Sequence, residues 1–119
     1  MYQMNQQHAV YQMEQQRDQA AIDKVKRLIA EGDPSVNDNQ AIQWTSSWGY
    51  TEVVQLLLQD RRVDPSAGNN SSIQWASRYG YTGIVRLLLQ DRRVDPSDGN
   101  NWSIRGASQK GHLEVVELL

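Results

Sequence analysis

The chain has 119 residues, a formal net charge of −2 and no cysteine. Its length suits one compact domain or a short stack of repeats. The lack of cysteine excludes disulfides, thiolate metal ligands and a cysteine nucleophile. The acidic balance argues against nucleic acid or an anionic membrane as partner, because both attract basic surfaces. No run of about 18 apolar residues is present, so no transmembrane helix is predicted.

The first segment, residues 1–19, is rich in glutamine and lacks the apolar region of a secretion signal. Two interpretations stay open for it. It is either a disordered extension or the degenerate first helix of a capping unit, starting near residue 8 with Val10 and Met13 facing inward. The stretch "IDKVKRLIAEG" then predicts a helix that ends at Gly32. Its many charged side chains are typical of the outward-facing cap of a repeat stack.

A period of 31 residues runs along the rest of the chain. An Asp-Pro-Ser tripeptide and a glycine both recur in phase. The tripeptides lie at 33–35, 64–66 and 95–97, and the glycines are Gly49, Gly80 and Gly111. A fixed period of this size predicts a stacked repeat before any other fold.

Each period predicts two helices and a turn. In "SSIQWASRYG", Ser71 and Gln74 have capping-box spacing, which favours a helix start. Gly80 predicts the end of that helix, because glycine takes the left-handed conformation at little cost. The next stretch, "YTGIVRLLLQD", has the broad apolar face of a helix buried between neighbours. "VDPSDGNN" then supplies residues that form turns.

This unit resembles the ankyrin repeat. "SSIQWAS" and "GYTGIVRLLL" match the two helical signatures of that family, T-P-L-H-x-A-A and G-H-x-E-V-V-x-L-L-L, and the last copy contains "GHLEVVELL". The resemblance implies an all-α repeat solenoid of stacked helix-turn-helix units joined by short hairpin-like loops. The period is shorter than the family's length of about 33 residues. Gln43, Gln74 and Arg105 replace the signature histidine. Of these, Gln74 is expected to keep a side-chain hydrogen bond, and Arg105 is not.

The predicted organisation is an N-terminal extension or degenerate helix followed by an ankyrin-type array. The extension covers 1–19 and the array covers 20–119. Within the array we predict a partial unit at 20–39, complete units at 40–70 and 71–101, and a final unit at 102–119.

Positions that differ between copies predict the binding surface, because the invariant ones are needed for stacking. We call a set of equivalent positions in successive repeats a column. Two variable columns directly precede the repeated glycine. The resemblance implies that they face the concave groove where ankyrin arrays bind partners. Trp, Tyr and Arg are also enriched at binding hot spots. The predicted contact residues are Ser47, Trp48, Arg78, Tyr79, Trp102, Gln109 and Lys110. For Trp48 and Tyr79, an equally open interpretation is that they only cover a neighbouring unit.

Other prominent side chains receive structural interpretations. Trp44 and Trp75 are predicted to fill the seam between units, while Gly106 leaves that space empty. A further column is used for an internal hydrogen bond in ankyrin arrays; here it contains Tyr50, Tyr81 and His112.

The basic pairs Arg61-Arg62 and Arg92-Arg93 are flanked by aspartates. They predict a solvated ladder of weak ion pairs. A phosphate-binding stripe is the alternative interpretation.

No enzyme is predicted. The chain has no Gly-rich phosphate loop and no H-E-x-x-H motif, and its carboxylates lie at turn and helix-end positions set by the repeat. We expect no catalytic residue, cofactor or metal. The predicted function is binding of another protein through the concave face, in the cytoplasm rather than the nucleus, without nucleic acid or membrane. The alternative is a structural piece of a longer array that associates through its last helix, where Leu118 and Leu119 are predicted to be exposed.

Overall fold

The computed structural model describes residues 19–119, where all regular structure is helical. The predictions for residues 1–18 therefore lie outside the described residues. The helix predicted to end at Gly32 is present, and the backbone N–H of Gly32 donates to the carbonyl of Leu28 at 3.0 Å. In chain order the helices are α1 (19–31), α2 (Val36–Trp48), α3 (Thr51–Leu58), α4 (Ala67–Arg78), α5 (Thr82–Leu89), α6 (Asp98–Lys110) and α7 (Leu113–Leu118).

The helices form two layers. The first helix of each unit packs on its counterpart in the next unit, α2 on α4 and α4 on α6. The second helices do the same, α3 on α5 and α5 on α7. Because each helix contacts the equivalent helix of the next repeat, the units stack in one dimension. The prediction of an all-α repeat solenoid is confirmed.

The hydrophobic core lies along the second helices and the facing sides of the first. The apolar face of α5 buries Ile84, Val85 and Leu88 completely. Burial of one such side chain stabilises the fold by about 1.5–3 kcal/mol. The equivalent residues of α3, which are also buried, are Val53, Val54 and Leu57.

The connection between units contains a left-handed turn. After each Asp-Pro-Ser, three consecutive residues have φ values between 56° and 68°. This conformation is sterically unfavourable for L-residues, and glycine, asparagine and aspartate tolerate it best. That requirement explains the repeated "GNN". The three turns are 37–39, 68–70 and 99–101, and no strand accompanies them within residues 19–119.

The last residue of a left-handed turn links its unit to the next. The side-chain Oδ1 of Asn39 accepts a hydrogen bond from the backbone N–H of Asp64 at 2.8 Å. Asn70 accepts from the N–H of Asp95 in the same way, also at 2.8 Å. Both asparagines are buried. These bonds satisfy backbone donors that a turn would otherwise leave unpaired.

The predicted capping box is absent. The hydroxyl of Ser71 donates to Oε1 of Gln43 in the preceding unit at 2.7 Å. Nε2 of Gln74 donates to the carbonyl oxygen of Asn69 at 3.1 Å. The reason is the left-handed turn at 68–70, within the first residues of α4, which offers Gln74 a carbonyl acceptor. Gln74 thus keeps the expected side-chain hydrogen bond, and no such bond is present for Arg105 in the part of the chain that the structure describes.

The glycines at the ends of α2 and α4 each lie under a ring from the next unit. The ring of Tyr81 packs on Gly49, and the imidazole of His112 packs on Gly80. A Cβ built on Gly80 would lie only 2.5 Å from Nδ1 of His112. Gly111, at the same position in the last unit, has nothing within 4 Å. Tyr81 and His112 therefore have a structural role in packing between units.

Arg62 connects its own unit to α1. Its guanidinium donates to the carbonyl oxygens of Ile29 at 2.8 Å and Gly32 at 2.9 Å, at the C-terminal end of that helix. It also holds Asp60 through Nε at 3.1 Å and Nη2 at 2.9 Å. Basic side chains at a helix C-terminus donate hydrogen bonds to its free carbonyl groups and interact favourably with the negative end of the helix dipole. Arg62 is therefore an interunit contact.

Arg93 repeats this arrangement one unit later. Its guanidinium donates to both carboxylate oxygens of Asp91, at 3.1 Å and 2.8 Å, and to the carbonyl oxygen of Val63 at 3.0 Å. Arg61 and Arg92 are exposed, with no ion-pair partner among residues 19–119. One arginine of each basic pair thus stabilises the stack, and the other faces solvent.

Acid is expected to weaken these connections. Hydrogen bonds from Arg62 and Arg93 hold the pKa of Asp60 and Asp91 below the ordinary value of 3.8. Serine hydroxyls in the Asp-Pro-Ser turns lower the pKa of Asp33, Asp64 and Asp95. A carboxyl group with a depressed folded-state pKa stabilises the fold above its unfolded pKa, and this contribution is lost as pH falls through the folded value. We expect the free energy of unfolding to fall below about pH 4.

Urea denaturation at a series of pH values measures this dependence. The double variant Asp60→Asn, Asp91→Asn should be less stable than the parent at neutral pH and should lose less stability on acidification. If the parent has the same free energy of unfolding at about pH 5 and about pH 2, the assigned pKa shifts are contradicted. The five aspartates with a lowered pKa would then contribute nothing to the pH dependence of stability.

Candidate functional site

Exposed aromatic side chains cluster on the layer of first helices. Trp44 and Trp48 on α2 are 50% and 54% exposed, and Trp75 and Tyr79 at the end of α4 are 39% and 49% exposed. Each pair is separated by four residues, which places its members on one side of the helix. These side chains form two groups of exposed apolar surface, one on α2 and one on α4. We call this surface the aromatic face; it consists of Trp44, Trp48, Tyr50, Trp75, Tyr79, Tyr81 and Trp102.

Trp48 lies between two other rings of the aromatic face. Its ring centroid is 5.7 Å from that of Trp44 and 5.7 Å from that of Tyr50, the second in an edge-on arrangement. Aromatic pairs at this distance contribute about 0.5–1.5 kcal/mol beyond area burial. Trp48 thus contacts two rings while half of its surface stays in water.

Trp75 is the centre of the second aromatic group. It stacks on Tyr79 with centroids 5.8 Å apart and 17° between the ring planes. Trp102, from the next unit, meets Trp75 edge-on at 5.6 Å. Tyr79 also lies 5.9 Å from Tyr81. The aromatic face therefore continues across the boundary between α4 and α6.

Trp44 and Trp75 do not fill the seam between units, so that prediction was wrong. The seam contains small side chains instead, since Ala76, Ser77 and Ala107 are fully buried. Small residues let the first helices approach closely, which leaves no room for an indole. The four-residue spacing from Trp44 to Trp48 and from Trp75 to Tyr79 was the signal in the sequence that both tryptophans belong to the exposed side.

A groove lies between α4 and α6 beside the aromatic face. Its volume is about 600 Å³, and a Cβ on Gly106 would lie 3.6 Å from the Cβ of Arg78. The guanidinium carbon of Arg78 is 5.5 Å from the ring centroid of Trp102, a cation–π distance. The preceding units have Trp44 and Trp75 in the column of Gly106. This α4–α6 groove is lined by Arg78, Trp102, Ile104, Arg105, Gly106, Ser108 and Gln109.

Most of the predicted contact residues lie on these two surfaces. Trp48, Tyr79 and Trp102 belong to the aromatic face. Arg78 and Gln109 line the α4–α6 groove. Their contact with a partner stays a prediction.

Ser47 and Lys110 complete the predicted set. Lys110 is exposed at the end of α6. Ser47 is partly buried, and its hydroxyl donates to the backbone carbonyl of Trp44 at 2.8 Å. The sequence analysis missed Ile104 and Arg105, because Ile104 repeats Ile42 and Ile73, and Arg105 was considered only as a replacement for the signature histidine.

The apolar surface of α7 differs from the prediction. Leu118 and Leu119 are partly buried and pack against the core. Leu113, at the start of α7, is 73% exposed. The equivalent positions in the preceding units are occupied by the polar residues Thr51 and Thr82. An exposed leucine at this position is therefore particular to α7.

The described residues show no cluster suited to a metal. In 19–119, no group of three or more His, Cys, Asp or Glu side chains has the necessary arrangement. Within the same range, no helix is long and apolar enough to cross a bilayer. The groups with a shifted pKa belong to the connections between units rather than to the aromatic face.

A family model described as ankyrin repeats (3 copies) matches residues 16–100, which is more than half of the chain. The chain belongs to the ankyrin repeat family. No curated protein and no solved structure matches it. Ankyrin repeats are generally protein–protein interaction modules, and the family is typically non-enzymatic. Residues 101–119 follow the matched span, and there the ankyrin stack continues, with α6 on α4 and α7 on α5.

Proposed function

We propose that this ankyrin array binds another protein through its concave face, formed by the first helices, and has no enzymatic activity. The observation that carries the proposal is the aromatic face, where Trp48, Trp75 and Tyr79 contact neighbouring rings and are still exposed. Trp, Tyr and Arg dominate the binding free energy of many interfaces. Rings that are already held by their neighbours lose little side-chain freedom on binding.

We further propose that the module acts in the cytoplasm and needs no cofactor. The net charge of −2 supports a protein partner over nucleic acid or an anionic membrane. Two of the four arginines in the predicted phosphate-binding stripe, Arg62 and Arg93, already bind aspartates and backbone carbonyls. That engagement weakens the case for a phosphate-binding stripe.

Comparative pull-down from cell lysate tests the proposal. The bait proteins are the parent, the face variant Trp48→Ala, Arg78→Ala, Tyr79→Ala, and a control variant with three exposed substitutions elsewhere. The control carries Arg61→Ala, Gln90→Ala and Arg92→Ala, all at exposed positions outside the aromatic face and α7. All three baits should first give matching helical circular dichroism.

We expect proteins that the parent and the control retain to be lost by the face variant. That pattern separates specific capture from general adhesion, because both variants remove the same number of side chains. Equal retention by all three baits would contradict a binding site on the aromatic face.

A second candidate function is association through α7, as a structural piece of a longer array. Leu113 is 73% exposed there. Another repeat or another copy of the chain could pack on this edge. Light scattering over a range of concentrations discriminates: mass that rises for the parent but not for Leu113→Glu supports association, and a constant monomer mass contradicts self-association.

A further inference from the structure

We propose that the α4–α6 groove binds an acidic segment of the partner protein. In this arrangement, side-chain carboxylates of the segment pair with Arg78 and Arg105, and an adjacent apolar side chain packs on Trp102 and Ile104. The inference rests on the proposed function and deepens it, because it states the chemistry of the partner.

The charge of the groove is the first support. Both charged residues in its lining, Arg78 and Arg105, are basic, and neither has an ion-pair partner in 19–119. Arg62 and Arg93, by contrast, are paired with aspartates. Lys110, outside the groove lining at the end of α6, is a further exposed positive charge. Because the whole chain carries −2, this groove is a local basic surface, complementary to an anionic segment.

The shape and composition of the groove are the second support. Trp102 and Ile104 are partly buried and give it apolar walls, and its volume of about 600 Å³ has room for side chains of a partner. The Trp102 ring restrains the guanidinium of Arg78 at 5.5 Å from its centroid. A planar guanidinium donates two parallel hydrogen bonds to a carboxylate, and a restrained one loses less freedom when it does so. Acidic and apolar side chains in one short segment would satisfy both parts of the groove.

An acidic protein segment fits better than a nucleic acid. Two arginines and one lysine can neutralise only a few phosphates, and binding to a polyanion depends on many such contacts. The negative net charge of the chain also opposes the approach of a long polyanion. A short acidic segment experiences mainly the local charge, because charges beyond about 10 Å are screened at moderate salt.

Selection from a random dodecapeptide phage library tests the inference. The targets are the parent, the groove variant Arg78→Gln, Arg105→Gln, and the control Arg61→Gln, Arg92→Gln, which has the same net charge as the groove variant. Glutamine retains the Cβ and Cγ of Arg78, the atoms nearest to Gly106, so packing there is preserved. Matching thermal unfolding of the three proteins verifies that the fold is unchanged.

We expect the parent and the control to enrich peptides that carry Asp or Glu beside an aromatic or aliphatic residue, and the groove variant to lose them. For the most enriched peptide, labelled and measured by fluorescence anisotropy, the groove variant should bind at least about tenfold more weakly, and the control should match the parent.

The other outcomes overturn the inference in distinguishable ways. Enriched uncharged peptides that Trp48→Ala, Tyr79→Ala fails to bind would keep the protein-binding function and remove the acidic partner. No enrichment by any target would count against both proposals. If a labelled twelve-nucleotide uridine strand binds and no acidic peptide does, and the groove variant loses that binding, the groove is a nucleic-acid site.

Discussion

Replacing Leu88 with alanine is expected to destabilise the chain by about 2–5 kcal/mol, through lost burial and the cavity left behind. Leu88 is fully buried in α5, the second helix that packs on both α3 and α7. The closely packed core of a protein refills such a space only in part. Because a small domain has a total stability of about 5–15 kcal/mol, one such change can unfold much of the population.

Urea denaturation followed by far-ultraviolet circular dichroism measures the loss. The matched control is Leu113→Ala, the same chemical change at a side chain that is 73% exposed. The control should change stability by less than about 0.5 kcal/mol. If both variants lose similar free energy of unfolding, Leu88 is not in the hydrophobic core.

The second large effect is expected at the repeated glycine. Gly80 has a φ of 76°, and a Cβ there would lie 2.5 Å from the imidazole of His112. Gly80→Ala therefore combines an unfavourable backbone conformation, about 1–2 kcal/mol, with overpacking, about 1–3 kcal/mol. The sum is about 2–5 kcal/mol of lost stability.

Gly111 separates the two contributions. Its φ of 77° matches that of Gly80, but nothing lies within 4 Å of an added Cβ. Gly111→Ala should lose only the backbone part, about 1–2 kcal/mol. In the background His112→Ala, the Gly80→Ala change should become as mild as Gly111→Ala. If the two alanine variants are equally stable with His112 in place, ring packing on Gly80 is unimportant.

The fold could be predicted because the same sequence pattern recurs in every repeat unit. The 31-residue phase of Asp-Pro-Ser, the glycines and the leucines indicates stacking without any knowledge of contacts. The left-handed turns could not be predicted, because Gly-Asn-Asn suits several turn types. One contact that selects this turn type is the hydrogen bond that Oδ1 of Asn70 accepts from the backbone N–H of Asp95 in the next unit. The capping box failed for a similar reason, since Ser71 donates to Gln43 in the preceding unit.

The candidate site was predictable in part. Comparison of the copies indicated the columns of Trp48, Tyr79 and Arg78, which depend only on position within the repeat. The exposure of Trp75 was missed because it depends on how closely α4 approaches its neighbours. The α4–α6 groove was missed because its lining combines Arg78 of α4 with residues of α6 in the next unit.

The indole N–H signals in an NMR titration provide the most direct test of binding through the aromatic face. The chain has four tryptophans, and all four lie on this face: Trp44, Trp48, Trp75 and Trp102. With a partner recovered by the parent bait, we predict that the signals of the last three shift or broaden, while the methyl signals of Leu113 stay unchanged. Unmoved indole signals together with shifted Leu113 methyl signals would contradict the account and place binding on α7.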